Sequence, residues 1–179
     1  MTACAGPGEH LPISLANQEI TSSPFEATRG KVIVFPLRDA RPEPKRLGHR
    51  VHLFGTIDTL EPAFSVGERV AQLLVSSLRQ RGYDAQMASA GTSPEEVTEG
   101  KVVTGTIQTL RVDATSHLGY TQIEADSIVN IEIRDPKTGV KTDFKIVDEN
   151  SPKVVFFRPE VLEETLRDLI SDGMKRVLP

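Results

Sequence analysis

Residues 120–146 read YTQIEADSIVNIEIRDPKTGVKTDFKI, and this stretch decides the fold. Its first part alternates between apolar and polar positions. The apolar positions are Ile123, Ala125, Val129, Ile131 and Ile133, and the polar ones are Glu124, Asp126, Asn130, Glu132 and Arg134. This period of two predicts a β-strand with one buried face and one charged face.

The segment Asp135–Gly139 interrupts the alternation and reads as a turn, with a glycine suited to positive φ. Alternation then resumes, with Val140, Phe144 and Ile146 on one face and lysines and an aspartate on the other. Two antiparallel strands that are apolar on one face only indicate a sheet covered by helices on one side.

A strand, a helix and a second strand precede this hairpin. Residues 31–35 form a continuous β-branched and aromatic run, typical of a strand buried on both faces. A helix follows from Ser65, where Ser65 and Glu68 have the spacing of a capping box, and Gly82 ends it. The next strand spans residues 83–88, and a helical crossover between adjacent strands indicates a parallel, right-handed pair.

Three further elements complete the pattern. Residues 93–96 predict a single capped helical turn, residues 101–113 a strand, and Pro159 the first turn of a final helix. The order β-α-β-β-β-β-α predicts an α/β (α+β) two-layer sandwich. We expect a mixed, mostly antiparallel sheet of about five strands with two main helices on one face.

Residues 36–62 form a long connection within this single domain of residues 30–179. The connection begins basic and ends apolar, and it contains Pro42, Pro44 and Pro62. A loop of this length is uncommon in a compact domain. The sequence favours an extra edge strand near Val51 or a packed loop, and a binding loop is the alternative.

Composition excludes several classes of protein. The chain has 179 residues, 38% of them hydrophobic and 26% charged, with a formal net charge of −4. The acidic balance, the absence of Trp and the presence of only two Tyr argue against a nucleic-acid partner. One Cys excludes an internal disulfide framework and a multi-cysteine metal site.

The first 29 residues read as a leader. They are rich in Pro and Gly and keep neither structural period, so they predict a flexible tether that is mobile or loosely docked. The single cysteine lies in Met1-Thr2-Ala3-Cys4, which has the form of a bacterial lipobox. No charged or apolar signal region precedes it. Either a signal peptide has been removed upstream of Met1, and Cys4 is the lipidation site and carries acyl chains such as palmitate, or Met1 is the true start, Cys4 is an ordinary thiol and the protein is cytoplasmic.

Several motifs together resemble a bacterial lipoprotein group. They are VIVFPLRDARP at residues 32–42, Leu47-Gly48, LRQRGY at 78–83, VTGTI at 103–107 and DPKTG at 135–139. The chain resembles the YajG-type lipoproteins. More loosely, it is similar to the domain shared by the curli secretion lipoprotein, the amino-terminal domain of TolB and the lipoprotein activators of penicillin-binding proteins. The resemblance implies a periplasm-facing, lipid-anchored protein that acts by binding, and Ala5 after the cysteine fits sorting to the outer membrane.

The sequence offers no convincing catalytic or metal site, so no catalytic residue, metal ligand or cofactor is assigned. His49 and His52 stand near Asp58, but loop spacing fixes no metal geometry and solvated histidines are the favoured interpretation. Asp113, Ser116 and His117 contain the residue types of a triad without its spacing.

Apolar side chains are the better candidates for a site. The run Val154–Phe157 predicts a staple between the last helix and the sheet, or an exposed patch together with Phe54. The candidate partner-binding residues are Leu53, Phe54, Ile57, Phe156 and Phe157.

The leading hypothesis is a non-enzymatic envelope lipoprotein that binds one or more envelope proteins and reaches the membrane through its lipid anchor. One alternative is a soluble small-ligand-binding domain or small enzyme with a site at residues 45–62. The other is a ring-forming subunit of a secretion or transport assembly.

Overall fold

The computed structural model describes residues 8–15 and 29–177. Ten strands and two helices make up this part of the chain, together with one 3-10 turn at Pro94–Glu96. The strands are β1 (His10–Ile13), β2 (Lys31–Val34), β3 (Arg38–Asp39), β4 (Gly48–Val51), β5 (Ile57–Pro62), β6 (Asp84–Met87), β7 (Lys101–His117), β8 (Tyr120–Arg134), β9 (Lys141–Asn150) and β10 (Lys153–Val154). The helices are α1 (Val66–Gln80) and α2 (Pro159–Met174).

Strand β7 organises the sheet because it is 17 residues long. Along one edge it pairs antiparallel with β8 from end to end, with one irregularity between Ile107 and Thr109. Along its other edge it pairs in parallel with three short strands in succession: β2, then β3, then β4. The sheet is therefore mixed, and its main path runs β1-β5-β4-β7-β2-β6.

The two helices share one core with the sheet, as predicted. All five predicted apolar positions of each helix are buried, from Val66 to Leu78 in α1 and from Leu162 to Met174 in α2. They pack into a single cluster with the apolar face of β8. The predicted α+β class and the parallel β2–β6 pair are confirmed, but the strand count exceeds the predicted five.

Strand β2 is buried on both faces, as its continuous apolar run predicts. Val32 and Val34 face the main core, whereas Ile33 and Phe35 form a second small cluster with Val102. Ala88 and Val97 pack on this second cluster. The 3-10 turn is closed as predicted, because the Ser93 N–H donates to Glu96 Oε2 at 2.9 Å. The predicted cap at Ser65 forms no side-chain hydrogen bond.

Strand β1 lies within residues 1–29, which the sequence predicts to be a mobile or loosely docked segment. It pairs in parallel with β5, so His10 lies opposite Thr59 and Ile13 opposite Pro62. Ile13 and Leu15 are buried in the main core. The sequence gives no signal for this strand because four residues are too few to show a period. Cys4 lies outside the described residues.

The long connection 36–62 contains three strands rather than one loop. The hairpin of β4 and β5 extends the sheet beyond β7, with Val51 opposite Ile57. An extra strand therefore forms near Val51 as predicted, but it lies between β5 and β7 rather than at an edge of the sheet. Upstream of the hairpin, Arg41 is 7% exposed. Its guanidinium donates to Asp39 and to the carbonyl oxygens of Pro44 and Arg46.

No helix in the described ranges has both the length and the hydropathy to span a bilayer.

Candidate interaction surface at one end of the sheet

Three chain segments meet at one end of the sheet. Strands β4 and β7 run in parallel with Val51 opposite Thr115, so the β4–β5 turn and the β7–β8 turn lie side by side. Strand β10 pairs antiparallel with the beginning of β8, with Val154 opposite Thr121, so the segment after β10 emerges at the same end. We call residues 52–57, 116–121 and 153–158 the apolar tip.

The apolar tip carries most of the exposed large hydrophobic side chains of the described residues. Phe54 is 85% exposed, Leu118 87% and Phe156 84%. Leu53, Ile57, Tyr120 and Val155 are also exposed there. Two others, Val140 and Val147, lie elsewhere on the sheet. Exposed apolar side chains grouped on neighbouring loops mark an interaction surface, whereas scattered ones are ordinary.

The apolar tip is also free of acidic residues. Its three segments contain Lys153, Arg158, His52 and His117 and neither Asp nor Glu, in a chain whose net charge is −4. The Nζ of Lys153 lies 5.4 Å from the centroid of the Tyr120 ring. Tyr120 in turn stacks on His117 with ring centroids 4.8 Å apart. The tip is therefore a basic, apolar region at one end of an acidic protein.

Arg50 and Phe157 fix the segment before α2 to β4. The guanidinium carbon of Arg50 lies 3.9 Å from the centroid of the Phe157 ring. Phe157 is half-buried and packs against the main core, as the predicted staple requires. Its neighbours Val155 and Phe156 are 71% and 84% exposed. The run Val154–Phe157 therefore fulfils both interpretations, because Phe157 anchors it while Val155 and Phe156 face solvent.

Asp58 joins the tip to the N-terminal strand. This carboxylate is 4% exposed, and its Oδ1 accepts the N–H of Glu9 at 3.0 Å. Burial alone would raise the pKa of Asp58, but the hydrogen bonds from Glu9 and His52 and the charge of Arg50 outweigh burial and lower it. An ionised Asp58 therefore holds residue 9 against the beginning of strand β5.

The histidines near residue 50 do not converge on a metal site. Nε2 of His52 lies 2.5 Å from Asp58 Oδ2, whereas Nδ1 of His49 lies 3.8 Å from Asp113 Oδ1. The two imidazole rings therefore lie beside different carboxylates. No group of three or more metal-binding side chains occurs in the part of the chain that the structure describes.

Asp113, Ser116 and His117, which have the residue types of a catalytic triad, also have separate partners. Asp113 accepts the N–H of His49 and lies 3.3 Å from Nε of Arg111. Ser116 Oγ is 3.4 Å from Thr121 Oγ1, and His117 stacks on Tyr120. Asp113, Ser116 and His117 therefore contact other residues near the tip rather than one another.

Two depressions in the surface lie away from the tip. The larger, about 680 Å³, opens on the polar side of β7, β8 and β9 and is lined by Arg38, Thr106, Glu132, Asp143 and Lys145, among others. The smaller, about 480 Å³, lies between β8 and β9 near Arg111 and Asp126. Neither includes a residue of the 45–62 segment, where the alternative small-molecule site is expected.

The structure brings the predicted surface residues together and adds three more. Leu53, Phe54, Ile57, Phe156 and Phe157 all lie at the apolar tip. Leu118 and Tyr120 are missing from the predicted set, and Val155 belongs to the predicted run without being selected. The available signal is Leu118-Gly119, a large apolar residue beside a turn glycine with φ of +88°.

Solved structures share this fold at low sequence identity. A protein of Xanthomonas campestris classed in the DUF330 family matches with a TM-score of 0.55 and 8% identity, over 93% of this chain and 91% of its own. An uncharacterized protein matches at 0.51 and 8% identity, over 96% and 97%. A hypothetical protein of Chlamydia trachomatis matches at 0.50 and 14% identity, over 84% and 96%.

Neither a protein-family model nor a curated protein matches the sequence. The structural similarities show the fold alone, and they do not confirm a YajG-type relationship.

Proposed function

We propose that this chain is a lipid-anchored protein of the bacterial cell envelope whose domain acts by binding rather than by catalysis. The observation that carries the proposal is the position of the N-terminal strand. Gly8 and Glu9 lie against Ile57 and Asp58 at the apolar tip, so the segment that contains Cys4 enters the domain at its apolar end. The lipobox-like tetrapeptide and the resemblance to envelope lipoproteins support the same function.

A protein partner has a free sheet edge available. Strand β9 is ten residues long and pairs with β8 along one edge, and within the described ranges no strand pairs with its other edge. An unpaired edge of this length offers backbone donors and acceptors to an added strand. Lys141, Asp143 and Lys145 line it, and such charges oppose unspecific strand addition.

Intact mass spectrometry tests the anchor. The full-length chain is produced in a bacterium with its native upstream reading frame, and the membrane fraction is analysed. We expect a mass increase from acyl chains on Cys4, and we expect the Cys4→Ser variant to lose both that increase and the membrane fractionation. An unmodified thiol on a protein recovered from the cytosol contradicts the proposal.

Site-specific photo-cross-linking in cells tests the protein partner. A photoreactive residue at Thr142, which is exposed on β9, should give one adduct of defined mass. The same residue at Gln80, exposed on α1, serves as the matched control and should give none. Equal labelling from both positions contradicts docking at the β9 edge.

The ring-forming alternative makes a different prediction. A closed ring of this chain would give a high-order oligomer of constant mass in size-exclusion chromatography with light scattering. A monomer over a wide concentration range would favour a module that binds a different protein.

A further inference from the structure

We propose that the apolar tip is a membrane-contacting surface that inserts side chains into the interface of a bilayer containing anionic lipid. The role of Cys4 in this inference rests on the proposed function, whereas the role of the exposed side chains does not. The protein then touches the membrane twice at the same end, through its acyl chains and through its loops.

The first support is the shape of the surface. Phe54, Leu118 and Phe156 stand on three separate loops, and each is at least 84% exposed. Gly55 and Gly119, with φ of +88° each, form the turns beside two of them. Side chains this exposed, each on its own loop, bury little area against a flat protein surface. A fluid bilayer interface surrounds them on all sides and removes their apolar area from water.

The second support is charge. Lys153 and Arg158 flank the exposed Val155 and Phe156, and the three segments that define the tip contain no acidic residue. Glu9 and Asp58 lie at its border. The nearest strand carboxylates are already paired, Asp58 with His52 and Asp113 with Arg111. Basic residues beside apolar and aromatic ones match a surface of anionic headgroups above acyl chains.

The third support is the path of the N-terminal segment. A Cβ at Gly8 would lie 1.5 Å from the Ile57 carbonyl oxygen, so residue 8 runs directly against the apolar tip. Cys4 is four residues earlier, and four residues span at most about 14 Å. A lipid on Cys4 would therefore enter the bilayer beside the tip. The domain would lie on the membrane, rather than at the distance that a tether of residues 5–29 would allow.

A tryptophan reporter tests insertion without the lipid anchor. The chain has no Trp, so Phe54→Trp in a full-length Cys4→Ser background gives a single emission signal from the tip. The matched control is Val140→Trp, which replaces an exposed apolar residue at the β8–β9 turn. Both proteins are mixed with vesicles of phosphatidylethanolamine and phosphatidylglycerol.

We expect the emission of Phe54→Trp to move to shorter wavelength and to be quenched by brominated lipid, while that of Val140→Trp stays unchanged. Replacing phosphatidylglycerol with phosphatidylcholine should weaken binding about tenfold. Absence of a shift at position 54, or an equal shift at both positions, overturns the proposal.

Vesicle flotation of surface variants gives an independent measurement. Phe54→Ser, Leu118→Ser and Phe156→Ser combined should lower vesicle binding roughly a hundredfold. The control Val140→Ser with Val147→Ser should bind like its parent. Circular dichroism should be unchanged in both, because every replaced side chain is exposed.

Two outcomes of the flotation experiment contradict membrane insertion by the tip. One is a parent that does not float and forms an oligomer that the triple variant disrupts. The other is a triple variant that floats like its parent. Both overturn the membrane proposal while leaving acylation of Cys4 to be judged by its mass, so the two failures are distinguishable.

Discussion

Oδ2 of Asp58 lies 2.5 Å from Nε2 of His52 across the β4–β5 turn. The other oxygen of the same carboxylate accepts the N–H of Glu9. One buried group thus closes the turn of the tip and secures the chain that enters from the N-terminal side. The relationship couples the geometry of the loops to the position of β1.

Asp58→Ala should lower the free energy of unfolding by about 2–3 kcal/mol, because it leaves the Glu9 N–H without its acceptor and removes the negative charge beside Arg50. Urea denaturation followed by circular dichroism measures the change. The exposed Asp172, which pairs with Lys175 three residues later, provides the control, and Asp172→Ala should cost about 0.5 kcal/mol or less. Equal effects of the two variants would contradict the role of Asp58.

Acid should destabilise the protein partly through Asp58. Its pKa in the folded state lies below the ordinary value of 3.8, so the unfolded chain binds this proton more tightly. Its contribution is complete above the unfolded pKa and is lost as pH falls through the folded pKa. Asp39, whose pKa is lowered by Arg41 against the effect of burial, has the same sign.

Urea midpoints measured between about pH 6 and pH 2 check this linkage. The loss of stability on acidification should be smaller in Asp58→Asn than in the parent protein. An identical acid dependence would show that the carboxylate gains nothing from its partners.

Lysine at position 41 should not provide the stability that Arg41 provides. Its planar guanidinium reaches Asp39 and the carbonyl oxygens of Pro44 and Arg46 at once, and one ammonium group cannot serve that geometry. Arg41→Lys should lower the free energy of unfolding by about 3 kcal/mol, measured by urea denaturation. The exposed Arg38 is the matched control, and a loss of similar size in Arg38→Lys would contradict this assignment.

The elements with a sustained period could be predicted from sequence, and the short ones could not. Helix α1 has fifteen residues and β8 has fifteen, long enough for the periods of 3.6 and 2 to emerge. Strands β1 and β3 have four and two residues. They are strands because β5 and β7 supply partners, and those partners are distant in sequence.

Some residues of the candidate surface could likewise be predicted from the sequence, and others could not. The apolar residues at 53–57 and 156–157 could be selected from their positions in loops. Their union with Leu118 and Tyr120 depends on the register that places Val51 opposite Thr115, and no local pattern fixes that register. The contacts of Arg41 and Arg50 could not be predicted either, because they form only in the folded chain.

Two adjacent phenylalanines should behave in opposite ways. Phe157 packs on the core beneath Arg50, so Phe157→Ala should lower the free energy of unfolding by about 2 kcal/mol. Phe156 is 84% exposed, so Phe156→Ala should change it by less than about 0.5 kcal/mol. Urea denaturation of the two variants decides whether the anchor and the exposed residue are correctly assigned, and a reversed order would refute the assignment.

The last prediction concerns how closely the N-terminal segment is held. Ile13 is 1% exposed and belongs to a strand paired with β5, so Ile13→Ala should lower the free energy of unfolding by about 2–4 kcal/mol. The exposed His10 of the same strand provides the control, and His10→Ala should cost about 0.5 kcal/mol or less. A loss confined to Ile13 means that the folded domain begins before residue 13, which leaves a short chain between Cys4 and the sheet and forces a lipid anchor close to the tip. If Ile13→Ala is neutral, β1 contributes nothing to the core and residues 5–29 regain the reach of a long tether, which separates the domain from the bilayer.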